Sequence, residues 1–271
     1  MTKALFQRDG EFFVPTPASG SPWSPKHLHG GPVVGLMAHA VEQATDNASL
    51  HMARLTVDLL RPAPSAPLSL STRLVRGGKR IQVMEASLLA GDTEVARASA
   101  LFLENTSVPV PDHGRFPASE LAPPTGSVET TLSGVAGWQN QYSPVGLHST
   151  AKAVIVDGIK GEGHGLAWMK LPVPLVEGIE TSPTVMAATL CDFGNGVGQL
   201  RLSDDTGCIN ADVSLYLHRR PVGEWLGVDA RSRMQEVGVG LVETTMFDAQ
   251  GPVGKILQTI MPMAMPGVER K

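Results

Sequence analysis

Three polar side chains in the second half of the chain, Asp192, Asn210 and Gln258, are of the types that together can activate and hold one water molecule. A carboxylate with an ordinary pKa of ~3.9 is ionised at neutral pH and can take a proton from water. Two amides can orient that water, or a carbonyl oxygen, through their fixed donors and acceptors. They stand out because the chain carries one layout twice. Leu55, Val57 and Leu59 before Arg61-Pro62 match Val213, Leu215 and Leu217 before Arg219-Arg220-Pro221, an offset of 213 − 55 = 158 that Val95 and Val253 keep. Aligning the Arg-Pro corners instead would need 220 − 61 = 159 and would turn one strand's apolar face outward, so the second corner reads as carrying one extra Arg. At the 158 offset Asp192, Asn210 and Gln258 fall opposite Val34, Met52 and Ala100. A duplicated fold needs neither set, so polarity confined to one copy points to a site.

The elements that must position these residues are two helices and two strand series. Val33, Val34, Met37, Ala38 and Val41 recur at helical spacing from Gly30 to about Thr45, with Pro32 near the start, where its missing N–H costs nothing. Strands are expected at Ala53–Leu60, Leu68–Val75, Ile81–Ala90 and Glu94–Leu103, after a short hairpin between Leu5 and Pro17 that turns at Asp9-Gly10. In the second half a helix from about Pro183 to Val197 precedes strands at Cys208–His218, Trp225–Arg233, Val237–Asp248 and Pro252–Met261; Ala151–Val156 and Leu166–Val173 are further candidates. A helix followed by hairpin-connected strands implies an α+β unit, an antiparallel sheet wrapped on one helix. The expected division is 1–104 for the first unit, 105–147 for a Pro-, Ser-, Gly- and Thr-rich linker, and 148–271 for the second unit with the candidate site. So long a linker is expected to pack on the surface.

Within this frame Asp192 falls near the end of the second helix, before Gly194, Gly196 and Gly198. Glycine costs about 1 kcal/mol in a helix interior, so either the helix ends there or something approaches its backbone closely. The Asp is expected to be accessible, and its plain alternative is a solvated or capping residue. Strand parity sets Asn210 on the face opposite Val213 and Leu215, whereas Gln258 shares its face with Ile256 and Ile260 and, if buried, needs partners. Either amide alone could be a satisfied structural group.

Composition bounds the function. Of the 271 residues, 42% are hydrophobic, enough for a full core, and the net charge of −4 offers no electrostatic footprint for nucleic acid. The short basic cluster Arg73–Arg80 reads as a strand turn at Gly77-Gly78. Two cysteines, Cys191 and Cys208, make no disulfide framework and suit a reducing compartment. Charges at Lys3, Arg8, Asp9 and Glu11 interrupt any secretory signal, so a cytoplasmic location is the expectation. The longest mostly apolar stretches, such as Pro32–Val41, fall far short of the ~18 residues of a membrane span. There is no Gly-x-Ser-x-Gly elbow, no Walker-type loop and no His/Cys metal cluster.

The chain resembles the double-hotdog acyl-CoA thioesterases related to bacterial acyl-CoA thioesterase II. The resemblance spans most of the sequence outside the linker. It rests on His29-Gly30-Gly31-Pro32-Val33-Val34-Gly35, Asp192-Phe193-Gly194-Asn195-Gly196, Asn210-Ala211-Asp212, His218-Arg219-Arg220-Pro221-Val222-Gly223-Glu224-Trp225, and Gly251-Pro252-Val253-Gly254 leading to Gln258. It implies two tandem hotdog units packed as a pseudo-dimer and hydrolysis of an acyl-CoA by an Asp-activated water, with no metal and no cofactor. Asp192 and Gln258 would match the family's catalytic Asp and Gln; Asn210 stands where the best-known member has Thr. His29, Gly30 and Gly31 would shape the acyl or pantetheine channel, with His29 as a helix-start residue. Backbone N–H groups near the second helix would be the candidates to receive the developing oxyanion. The implied role lies in fatty acid metabolism, with an acyl-CoA partner, no nucleic acid or membrane, and a possible homo-oligomer. Two other readings remain open: a hydratase or dehydratase on a similar fold, and a non-catalytic acyl-binding protein.

Overall fold

A computed structural model describes residues 4–45, 47–119, 121–135 and 144–264. Residues 120 and 136–143 of the expected linker, 1–3 of the N-terminal stretch and 265–271 of the expected second unit lie outside the described residues. The chain opens with the hairpin β1 (Phe6–Asp9) and β2 (Phe12–Pro15), turning at Gly10, whose φ of +59° favours a residue without Cβ. Helix α1 (Gly30–Gln43) follows, then β3 (Leu50–Asp58), β4 (Ser69–Arg76), β5 (Ile81–Ala90) and β6 (Thr93–Glu104). Short helices α2 (Leu132–Val135) and α3 (Leu147–Thr150) precede β7 (Lys152–Gly158) and β8 (His164–Lys170). Then come α4 (Pro183–Leu190), a 3-10 turn at Cys191–Phe193, α5 (Gly194–Val197), β9 (Thr206–Asn210), β10 (Asp212–Leu217), β11 (Leu226–Met234), β12 (Gly240–Asp248) and β13 (Gly251–Ala264).

Apart from the first hairpin, the strands form one antiparallel sheet in the order β4-β5-β6-β3-β10-β13-β12-β11-β8-β7, with β9 on β13. The two halves meet at the β3–β10 seam. There Thr56 pairs with Ser214, flanked by Leu55 with Leu215 and Val57 with Val213, and Ser214 Oγ donates to Thr56 Oγ1 over 3.1 Å. Because 214 − 56 = 158, this is the pairing that a two-fold axis between equal halves requires. The two sheets are thus joined edge to edge, which removes one exposed edge from each. The corners keep the same offset: Arg61 Nη1 donates to Glu94 O at 2.9 Å and Arg219 Nε to Pro252 O at 3.1 Å. Arg219 is therefore the counterpart of Arg61, and Arg220 is the extra residue.

Helix α1 is buried almost all round, from Gly31 to His39, as expected of a helix enclosed by a sheet rather than resting on it. It packs on α4, and glycine makes the approach possible. A Cβ on Gly31 would run into Thr189 O, and one on Gly35 into Thr189 Oγ1. The helices do not keep the strand offset, since α4 starts 183 − 30 = 153 residues after α1. Counted this way Asp192 stands opposite His39, which packs edge-on against Phe13, rather than opposite Val34.

Two expected elements differ. The strand expected at Cys208–His218 breaks at Ala211: β9 pairs Asn210 with Ile260, whereas β10 pairs Ser214 with Leu257. The partner numbers sum to 470 and then 471, so one residue is extra, a bulge. Its mate lies in β3, where register shifts between Met52 and Arg54. The helix expected at Pro183–Val197 tightens into the 3-10 turn at Cys191–Phe193 before resuming. The segment between the halves does pack: Phe116 stacks on His218 with ring centroids 3.7 Å apart, Thr130 Oγ1 donates to Ala153 O, and Leu132 is fully buried. Among the described residues, no helix is long and apolar enough to cross a membrane.

Candidate active site

The bulge at Ala211 makes the site. It reverses strand parity, so Asn210 lies on the face of Ile260 and Gln258 instead of the opposite one. Asn210 Nδ2 then reaches Asp192 Oδ1 at 2.7 Å, while the Gln258 side chain, fully buried, donates from Nε2 to the Asp192 backbone carbonyl at 3.4 Å. The 3-10 turn aims the Asp192 side chain at α1, and the carboxylate is buried, 7% exposed, rather than accessible as its sequence neighbours suggested. The glycines after it answer a close approach: a Cβ on Gly194 would strike Gln258 Oε1 and lie 2.7 Å from Thr244 Oγ1.

The other wall comes from the first half. His29 is the residue before the first turn of α1, and its Nδ1 lies 2.8 Å from Asp192 Oδ2 and 3.1 Å from Gly31 N. Two lone pairs 2.8 Å apart would repel, so Nδ1 carries a hydrogen toward the carboxylate, and the Gly31 N–H bears on the same carboxylate. A Cβ on Gly30 would sit 2.6 Å from Asp192 Oδ2, so a side chain there would press on the carboxylate. Burial alone would raise the Asp192 pKa, but the charge and N–H of His29, the Asn210 amide and the Gly31 N–H outweigh it and hold the carboxyl below its ordinary value. The helix start facing the carboxylate is therefore that of α1, not that of the second helix.

These groups line a cleft of about 440 Å³. His29, Gly30, Asp192 and Asn210 face it, together with Trp23, Val33, Leu132 and Met263. Gly31 and Gln258 lie behind its wall, Gly31 against Thr189 and Gln258 under the 3-10 turn. Sequence reasoning missed Thr244, whose fully buried hydroxyl adjoins Gln258. The 158 offset could have found it, since it stands opposite Ala86. It also missed the contact between His29 and Asp192, which no spacing along one chain reveals. Among the described residues, no cluster of three or more His, Cys, Asp or Glu is placed to hold a metal ion.

A two-fold-related cleft of about 370 Å³ lies on the other side of the helix pair. It is lined by Glu42, Leu50, Met52, Phe102, Ser182 and Arg220 among others, with Met52 where the first cleft has Asn210.

A helix wrapped by an antiparallel sheet, twice over and joined edge to edge, with a carboxylate of one unit facing the helix start of the other, is a double-hotdog architecture. Its two halves match family profiles: residues 19–103 the acyl-CoA thioesterase N-terminal domain, and residues 113–261 the acyl-CoA thioesterase C-terminal domain. The chain belongs to the acyl-CoA thioesterase family and is a thioester hydrolase. Its fold is similar to that of the tesB protein of Mycobacterium avium subs paratuberculosis, at 16% identity and TM-score 0.67, covering 95% of each chain. It is similar too to acyl-CoA thioesterase II TesB2 from Mycobacterium marinum, at 15% identity and TM-score 0.66, covering 97% of this chain and 96% of that one. The dehydratase domain from the CurJ module of Curacin polyketide synthase is less similar, at 10% identity and TM-score 0.52, covering 90% and 88%. No curated protein matched the sequence.

Proposed function

We propose that the chain hydrolyses acyl-CoA thioesters with a water activated by Asp192. The observation that carries this reading is the buried Asp192 carboxylate, tied to Asn210 at 2.7 Å and to His29 at 2.8 Å at the wall of a largely apolar cleft. The thioester carbonyl enters beside Gly30, where the Gly30 N–H and the positive end of the α1 dipole meet the developing oxyanion. Asp192 takes one proton of the water as its oxygen attacks the carbonyl carbon. Asn210, donating from Nδ2 to Asp192 Oδ1, keeps the base ionised and aimed at that water. The tetrahedral intermediate collapses with cleavage of the C–S bond, and the proton held by Asp192 passes to the departing thiolate. General-base catalysis of this kind supplies ~10²–10⁴-fold. Gln258 holds the Asp192 carbonyl and so the turn that carries the base.

Thiol release from a panel of acyl-CoAs tests the reading, with Asp192→Asn expected to lose activity by that factor. A single turnover in ¹⁸O-water separates base from nucleophile. Direct attack by water places label in the first acid released, whereas an acyl-Asp192 anhydride opened at the Asp192 carbonyl leaves that acid unlabelled. The contact between His29 and Asp192 favours a second reading, a hydratase or dehydratase, because a His and a carboxylate together can remove and return a proton beside a thioester. Water addition to an enoyl-CoA with no thiol release would select it. The expectations of a role in fatty acid metabolism and of an acyl-CoA partner follow from the hydrolase reading.

A further inference from the structure

We infer that Thr244 is a positioning residue of the hydrolytic site, acting through Gln258; the inference rests on the reading of Asp192 as the base. Thr244 Oγ1 and Gln258 Oε1 are both buried and have no partner among the described residues. Both lie within 2.7 Å of the point where a Gly194 Cβ would be, so they are at most 2 × 2.7 = 5.4 Å apart. No side-chain atom occupies that point, because residue 194 is glycine.

The proton inventory then sets the pairing. Gln258 Nε2 donates to Asp192 O, so the amide cannot turn over without setting two carbonyl oxygens against each other. Its Oε1 therefore needs a donor, and the unpaired Thr244 hydroxyl beside it is the one we assign. Two orphaned buried groups cost more than the bond between them, and pairing removes both penalties together. The result is a relay from Thr244 hydroxyl to Gln258 amide to Asp192 carbonyl. It fixes the 3-10 turn from β12 and β13, the strands beneath it. All of this is confined to one half: at the 158 offset Thr244 and Gln258 replace Ala86 and Ala100, both buried.

The test is a double-mutant cycle on the full chain. Thr244→Val keeps the shape and removes the donor, and kcat is expected to fall about tenfold with KM within about twofold. Thr244→Ser, which keeps the hydroxyl, should restore kcat to within about threefold of wild type. In a Gln258→Leu background, Thr244→Val should cost nothing further, since the relay is already cut. The acid limb of the kcat/KM profile should move to higher pH in Thr244→Val as the turn loosens and Asp192 loses hold of its donors. Unchanged kcat in Thr244→Val, a Ser variant as poor as Val, or additive losses in the cycle would each overturn the inference. Asp192→Asn at wild-type rate would instead overturn the proposed function, and the two failures are read from different variants.

Discussion

In one cleft the start of α1 meets Asp192 across 2.8 Å; in the other the start of α4 meets Glu42, whose Oε2 accepts from Ser182 Oγ at 2.7 Å. The halves thus repeat a carboxylate beside the opposite helix start, yet the surroundings differ. Asp192 is buried and clamped by Asn210, whereas Glu42 is half-buried over a floor of Leu50, Met52 and Phe102. A carboxylate near a helix start is common to both clefts, and what differs is the side chains that hold it. The bulge common to β3 and β9–β10 delivers an amide in one half and a thioether in the other, and only the amide can hold a carboxylate in its ionised form. Duplication gave the two clefts the same strand backbone, and different side chains line it.

The contrast can be broken in graded steps. The largest effect concerns stability, at a corner where the halves also diverge. Asp248, fully buried, takes a bidentate grip from Arg219 and two backbone N–H groups, whereas its counterpart at the 158 offset is Ala90. Asp248→Asn should destabilise the fold by about 2–3 kcal/mol, below the ~3–5 kcal/mol for breaking a fully buried pair because Arg219 is partly exposed. The Asp248 pKa is lowered, burial opposing and Arg219 with the N–H groups prevailing. The stability it contributes is therefore present above the ordinary carboxylate pKa and is lost as pH falls through the depressed value. Denaturant melts of wild type and variant should converge in acid and separate at neutral pH.

Copying the Met52 cleft into the Asn210 cleft comes next. Asn210→Met, which installs the Met52 side chain, should lower kcat/KM about thirtyfold, the loss of one charge-assisted hydrogen bond. The same variant should move the acid limb upward. In wild type that limb should lie below the ordinary Asp pKa of ~3.9, because the ionised form is favoured, with activity falling as pH drops through it. Smaller still is Gly30→Ala. Its Cβ would press on Asp192 Oδ2 at 2.6 Å, and a loss of about tenfold in kcat, with thermal stability nearly unchanged, is the expected outcome.

Much of this contrast was legible in the residues, and what was not has physical causes. The 158 offset was readable because paired strands cannot slip without turning their apolar faces outward, and it led to Asn210 and Gln258. The inward reach of Asn210 was hidden by the bulge at Ala211, since alternation read through an extra residue gives the wrong face. Asp192 was found, but its burial and its His29 partner depend on how two helices from different halves approach, and that is set by Gly31 and Gly35 against Thr189. The helices start 153 residues apart and the strands match at 158, so no single offset could align both. Thr244 was within reach of the same comparison that found Gln258, but a Thr in a strand is an ordinary residue and draws no attention until its hydroxyl is seen to be buried.

The central claim is that hydrolysis belongs to the one cleft in which Asp192 faces α1. Its most direct test is kcat/KM for thiol release measured side by side in Asp192→Asn and Glu42→Gln, both verified as folded. The account predicts a loss of ~10²–10⁴-fold in the first and less than about twofold in the second. Comparable losses in both, or an Asp192→Asn enzyme within about threefold of wild type, would contradict it.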